Sequence, residues 1–212
     1  MPGRGGAEGG VGRELARRRR RAGRSADDRE IAEARLAYWE QSATGEIARK
    51  LNDPLGDFEN VGATDRKGID VQLRVKPTQQ LTLWGAIAWQ KAIITKPDPA
   101  TPALLGNEID HVPHWLFSGG VDFTAVPGLR LSVWGGGQSS YELATTNNQG
   151  RWGDYAALNA EAAYRLSPQV ELSLSAKNIT STDYEYVWWD GAQSLHSPAD
   201  AASVTGSVRV TF

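Results

Sequence analysis

The chain is 212 residues long, 40% hydrophobic and 23% charged, with a formal net charge of −2, no cysteine and a mean hydropathy of −0.44. That length accommodates one ordinary domain; the near-neutral charge argues against nucleic acid as a partner, and the missing thiols exclude disulfides and thiolate metal sites. No apolar run reaches the length of a membrane helix, whereas a membrane barrel, whose strands show lipid only every second residue, keeps a polar average and stays open as a reading.

Residues 1–28 are Gly-rich and then Arg-rich, with Arg17 to Arg21 unbroken. A run of like charge is disordered and solvated by default, and no apolar stretch or cleavage pattern follows it, so no secretory signal is present. This segment is expected to lie outside the fold, which occupies residues 29–212.

From Ala32 a period of two begins. Ala32, Ala34, Leu36 and Tyr38 face one way and Glu33, Arg35 and Trp39 the other, although the Ala, Glu and Arg content equally suits a helix. Residues 42–60 read as a long polar connection around the turn cluster Asn52 to Gly56. Ile69, Val71, Leu73 and Val75 then alternate with Asp70, Gln72, Arg74 and Lys76, up to Pro77. After a tight turn, Leu81, Leu83, Gly85, Ile87 and Trp89 alternate with Thr82, Trp84, Ala86 and Gln90.

A second long connection, about 93 to 112, carries Pro97, Pro99, Pro102 and Gly106. Trp115, Phe117, Gly119, Val121 and Phe123 follow on one face, and after the turn at Pro127 and Gly128 so do Leu129, Leu131 and Val133, with Trp134 opposite. A third long connection spans about 138 to 152. Ala156 to Tyr164 and Val170 to Ala176 form the next pair, joined at Pro168, and a fourth long connection leads to the last strand. There Val204, Gly206, Val208, Val210 and Phe212 share one face.

About eight strands thus alternate long and short connections, as in an up-and-down antiparallel barrel with all its turns at one end. The apolar faces are expected to meet lipid, because the opposite faces carry Asp122, Arg130, Glu161, Arg165, Glu171, Lys177 and Arg209, too many ionisable groups for a closed dry core. Trp84 is the exception on that polar face, either filling space between its neighbours or packing on something inside.

A strand that alternates to a terminal Phe resembles the last strand of bacterial outer-membrane β-barrel proteins, in which Val208, Val210 and Phe212 would form the signal read by the barrel-assembly machinery. Further motifs resemble the TonB-dependent receptors of Gram-negative bacteria: Asn60, Val61 and Gly62 followed by Lys67, Gly68, Ile69 and Asp70; Gly106 followed by Val112, Pro113 and His114; and Asn178 followed by Tyr184. The resemblance covers about residues 30–212. It implies a transmembrane barrel of roughly 22 strands around a plugged lumen, of which these would be the last eight. Short turns would be periplasmic and long loops extracellular. It further implies uptake of a scarce solute, such as an iron-siderophore chelate, with energy delivered by TonB through a plug that this chain lacks. A chain with no export signal and no plug is then expected to be a non-transporting fragment of an outer-membrane receptor.

Ligand contacts in such a receptor would come from Tyr141, Trp152, Tyr186, Trp188, Trp189 and His196. For Trp152, Trp188 and Trp189 the competing reading, a membrane-interface belt, is the favoured one. His111, His114 and His196 lack metal-ligand spacing, Gly135 to Gly137 is no phosphate loop, and no nucleophile with its base stands out. Neither a metal, a cofactor nor an enzymatic activity is expected. Two alternatives stand beside the receptor: a free-standing eight-stranded outer-membrane barrel of structural or adhesive role, and a soluble lipocalin-like barrel that binds its ligand inside. Pairing of the first strand with the last would mark the closed barrel.

Overall fold

The computed structural model describes residues 31–49 and 58–212; the Arg/Gly-rich segment expected to be disordered lies outside them. Eight long strands form one antiparallel sheet: β1 (Ala32–Arg49), β2 (Phe58–Val75), β3 (Leu81–Lys96), β4 (Trp115–Val126), β5 (Leu129–Gln138), β8 (Tyr155–Ser167), β9 (Val170–Lys177) and β12 (Ser203–Val210), in that spatial order. The four remaining strands make two small hairpins in the connections, β6 (Tyr141–Glu142) with β7 (Arg151–Trp152), and β10 (Glu185–Trp189) with β11 (Ser194–Pro198). A single 3-10 turn, Pro102–Leu104, is the one helical element among the described residues.

Every wall strand pairs with the next in sequence, so the meander is up-and-down throughout. Tight turns gather at one end. Pro127 fixes the first central residue of the β4–β5 turn and Gly128, at φ +88°, supplies the second, as a type II turn demands. Among the described residues β1 pairs only with β2, and β12 only with β9, so the wall is an open section with two free edges. The closed eight-stranded barrel and the lipocalin-like barrel, both of which need that closure, are not the observed arrangement.

One expectation holds and one is corrected. The stretch from Ala32 is the strand that its period of two announced, not the helix its composition also suited: Ala32 pairs with Val75 and Tyr38 with Ile69. The polar connection expected over residues 42–60 is mostly strand, since β1 runs on to Arg49 and β2 begins at Phe58. The polar side chains there satisfy one another across the ladder: Arg66 donates from Nη1 to Glu46 and to Thr64 Oγ1, each at 2.9 Å, and the Thr64 hydroxyl also reaches Glu46. A register shift between Ala43 and Glu46, with Gly45 at φ +65°, absorbs the mismatch. Polarity signalled a loop where paired polar groups sustain a strand.

The register sorts the wall into two faces. Leu36, Val71, Ile87 and Phe117 lie side by side across β1–β4, and Leu129, Tyr164, Leu172 and Val208 across β5–β12. All of these except the half-buried Leu129 are exposed. An exposed apolar surface spread over eight strands has no counterpart on a soluble monomer and calls for a hydrocarbon environment. On the other face lie Trp84, Asp122, Arg130, Glu161, Arg165, Glu171, Lys177 and Arg209.

Trp84 has a clear structural place there. It stands opposite Gly120, which stands opposite Trp134, and a Cβ added at Gly120 would come within 2.8 Å of both indole side chains. Trp39 covers Gly68 in the same manner. Large rings on the polar face thus occupy the space that a side chain at a glycine of the neighbouring strand would fill.

Candidate functional site

The loop end of the sheet carries most of the sequence-predicted contact residues and the one cluster of large buried side chains among the described residues. Tyr141, Leu143 and Val187 form that core, with Trp189 packed against it. The Tyr141 hydroxyl donates to the Val187 carbonyl at 3.1 Å, and the ring lies 5.0 Å from that of His111, whose Nε2 faces the same carbonyl at 3.2 Å. His111 Nδ1 meets Asp110 at 2.6 Å. One carbonyl therefore joins three connections, those after β3, β5 and β9. Burial raises the Tyr141 phenol above its ordinary value, keeping it a neutral donor. Gly153 (φ +84°) lies against the Tyr141 ring where no side chain could fit.

Glu108 is a second junction, which sequence reasoning missed. Its carboxylate meets His114 Nε2 at 2.9 Å, Arg151 Nη1 at 2.9 Å and Lys91 Nζ at 3.7 Å. Its backbone exchanges two hydrogen bonds with Asn147, and Arg151 also binds Glu142 at 2.7 Å. Partial burial pushes the Glu108 carboxyl up, and Arg151 together with His114 outweighs it, so the group sits below the ordinary carboxylate value. No sequence signal marked Glu108, because its partners come from β3, β7 and the stretch before β4.

The predicted contact residues divide. Trp152 and Tyr186 are exposed, at 43% and 62%. His196 lies edge-on to Trp152, ring centroids 5.3 Å apart, with Nδ1 at 2.6 Å from Glu185 and Nε2 at 3.0 Å from Ser194 Oγ. This row has the order of a hydrolase triad, which the sequence did not reveal because pairing of β10 with β11 is what assembles it. The row is open to solvent, the Glu185 side chain being 45% exposed, and it holds the His196 ring by both nitrogens. Tyr141, by contrast, is inside the loop core, and the indole nitrogen of Trp188 is covered and finds no hydrogen-bond partner among the described residues.

The motif residues have structural duties. Asn178 is buried at φ +47°; its side chain accepts from the Thr182 amide at 3.0 Å and donates to the Thr182 and Asp200 carbonyls, tying together both ends of the connection after β9. Asn60 accepts from the Gly62 amide at 2.8 Å, and Gly62, at φ +94°, lies where a side chain would collide with the Lys96 carbonyl. Gln90 bonds the Pro113 and His114 carbonyls, fixing the start of β4. On the polar face of the wall, Arg130 pairs with Glu161 at 3.2 Å, while Arg165 and Arg209 flank Glu171 at 3.9 and 3.8 Å. Ser132 donates to Asp122 at 2.7 Å. Val208 and Val210 stay exposed on the apolar face of β12, and Phe212 lies beyond its end.

Three solved structures illustrate what the chain resembles. The ferric citrate transporter FecA in its unliganded form matches with a TM-score of 0.72 at 19% identity, over 87% of this chain and 30% of that one. The ferric yersiniabactin uptake receptor FyuA from Yersinia pestis gives 0.73 at 14%, over 87% and 28%. The siderophore receptor PiuA from Acinetobacter baumannii gives 0.68 at 17%, over 85% and 26%. At these identities the likeness is one of fold, and this chain spans about 30% of the length of the first of them. No curated protein sequence matches. A family profile described as TonB dependent receptor-like, beta-barrel matches residues 26–179, well over half of the chain. With its up-and-down strands, its exposed apolar face and that match, the chain belongs to the TonB-dependent receptor β-barrel family.

Proposed function

We propose that this chain forms part of the wall and of the external loops of an outer-membrane receptor for TonB-dependent uptake of a scarce solute such as an iron-siderophore chelate. The observation that carries this reading is the open eight-stranded meander with an apolar outer face and loops gathered at one end. FecA, FyuA and PiuA are described as a ferric citrate transporter, a ferric yersiniabactin uptake receptor and a siderophore receptor, which favours a metal chelate as the solute class. The two unpaired edges favour a section of a larger wall, with further strands and the plug that contacts TonB lying elsewhere in the receptor. Trp152, Tyr186 and His196 offer the solute aromatic faces and a hydrogen-bonding ring, while Tyr141, Trp188 and Trp189 hold that platform in place. The charged residues of the polar face, from Asp122 to Arg209, line the lumen and meet the plug. Val208, Val210 and Phe212 address the chain to the barrel-assembly machinery.

The test is insertion. The chain is expected to need detergent or bilayer to remain dispersed and, once inserted, to leave its loop end accessible to protease on one side only. A chain that stays monomeric and folded in plain buffer would sink the reading.

A further inference from the structure

The β10–β11 hairpin carries Tyr186 and His196 and is tied to the other connections at Val187. The Asp190 amide donates to the Gln193 carbonyl and the Ala199 amide to the Tyr184 carbonyl; bonded pairs alternate along an antiparallel ladder, so Val187, opposite His196, belongs to an unbonded pair. Its amide and carbonyl therefore point away from β11. Among the described residues β10 has no other strand beside it, and Val187 is buried, so its carbonyl depends on side chains for its bonds. Two face it, the Tyr141 hydroxyl at 3.1 Å and His111 Nε2 at 3.2 Å, one for each lone pair. His111 is itself held in one pose. It takes φ +57°, its amide donates to the Glu142 carbonyl at 3.0 Å, and its Nδ1 lies 2.6 Å from the Asp110 carboxylate. Both ring nitrogens thus face acceptors. A neutral imidazole has a single N–H, which the carboxylate, the stronger acceptor, retains; Nε2 then turns a lone pair on the Val187 carbonyl. Only the imidazolium donates on both sides.

We infer that His111 is a proton-operated positioning residue: its imidazolium form clamps the β10–β11 hairpin through the Val187 carbonyl, and its neutral form releases it. Tyr186, next to Val187, and His196, opposite it, follow that clamp; the consequence for solute contact rests on the reading of those two as contact residues. The other carboxylates of the packed strands are engaged elsewhere, Glu142 of β6 with Arg151 of β7 at 2.7 Å and Glu185 of β10 with His196 of β11 at 2.6 Å. Tyr141, its phenol raised by burial, donates to the carbonyl in both states. The extra bond belongs to the protonated ring, so the stability it gives the hairpin is present on the acid side of the histidine range and is lost as pH rises through it.

The experiment is amide exchange of the 212-residue chain in micelles of an uncharged sugar detergent, referred to intrinsic rates, from about pH 5 to about pH 8. Protection of residues 185–198 is expected to fall roughly tenfold across that range, the worth of one hydrogen bond from a charged donor, while the ladder from Ile69 to Val75 shows no such step. His111→Gln should abolish the step, and His196→Gln should keep it. Should His111→Gln misfold, nitrogen NMR of the histidine rings in the unaltered chain decides: at about pH 5 the His111 Nε2 is expected to carry a hydrogen-bonded proton. A step that survives His111→Gln, a step that vanishes with His196→Gln, or an Nε2 without that proton would overturn the clamp and leave the receptor wall standing. A chain that stays monomeric and folded in plain buffer with the step intact would overturn the receptor reading and leave the clamp.

Discussion

The wall and the loop end are stabilised in opposite ways. Large apolar side chains in the wall point outward and remain exposed, Leu73 at 50% and Leu174 at 57%, so the wall takes its order from the ladder and from a surrounding hydrocarbon. The loop end has an interior of its own, in which Leu143 and Val187 are 2% exposed and three connections share one carbonyl. Lipid is thus the core of one region and irrelevant to the other.

The largest separation should come from a loop-core deletion. Leu143→Ala is expected to cost about 2–5 kcal/mol of local stability, seen as faster hydrogen exchange in residues 141–152 and 185–198 with the wall amides unchanged. Its converse is Leu73→Arg, which places a charge on the lipid face and should lower bilayer stability by about 2–4 kcal/mol. Gln72→Arg, one residue along on the polar face, should change it by less than about 0.5 kcal/mol. If both arginines cost the same in a folding titration in vesicles, the assignment of faces fails.

Within the wall, Gly120→Ala forces a methyl between Trp84 and Trp134 and should cost about 1–3 kcal/mol. The expected companion is a shift in tryptophan fluorescence that Gly206→Ala, with open space around its Cβ, does not produce.

The smallest effect is one of pH. Glu108 has its folded value below the unfolded one, so its contribution is fully present above the unfolded value and is lost as pH falls through the folded value. Asp190, lowered by backbone hydrogen bonds from Gln193 and Ala192, acts in the same direction. Protection of the loop amides, measured against intrinsic exchange, should therefore fall as pH drops below roughly 4, while that of the ladder from Ile69 to Val75, away from the Glu46–Arg66 pair, changes less, and Glu108→Gln should flatten the dependence. A wall that loosens in step with the loops would show that the two regions are not independent.

The strand period and its interruptions were legible because alternation is a local property: each residue from Ile69 to Val75 announces its face by its own side chain. Asn60, Gly62 and Asn178 were marked by their resemblance to family motifs; in the structure Gly62 and Asn178 take positive φ, and Asn60 accepts a hydrogen bond from the Gly62 amide. Beyond Gln41 the same reasoning failed, since Glu46, Thr64 and Arg66 are polar for one another's sake and not for solvent.

What the sequence by itself determined is therefore the antiparallel meander, the alternation of short turns and long loops, and the face each strand residue takes. Tertiary structure alone decided that β1 and β12 remain apart, that Trp84 rests on Gly120, and that Glu108 gathers Lys91, His114 and Arg151. The physical reason is the range of the interaction. Periodicity and turn chemistry act within a few residues, whereas ring-over-glycine contacts and charge clusters depend on register between strands, which no single stretch of chain encodes.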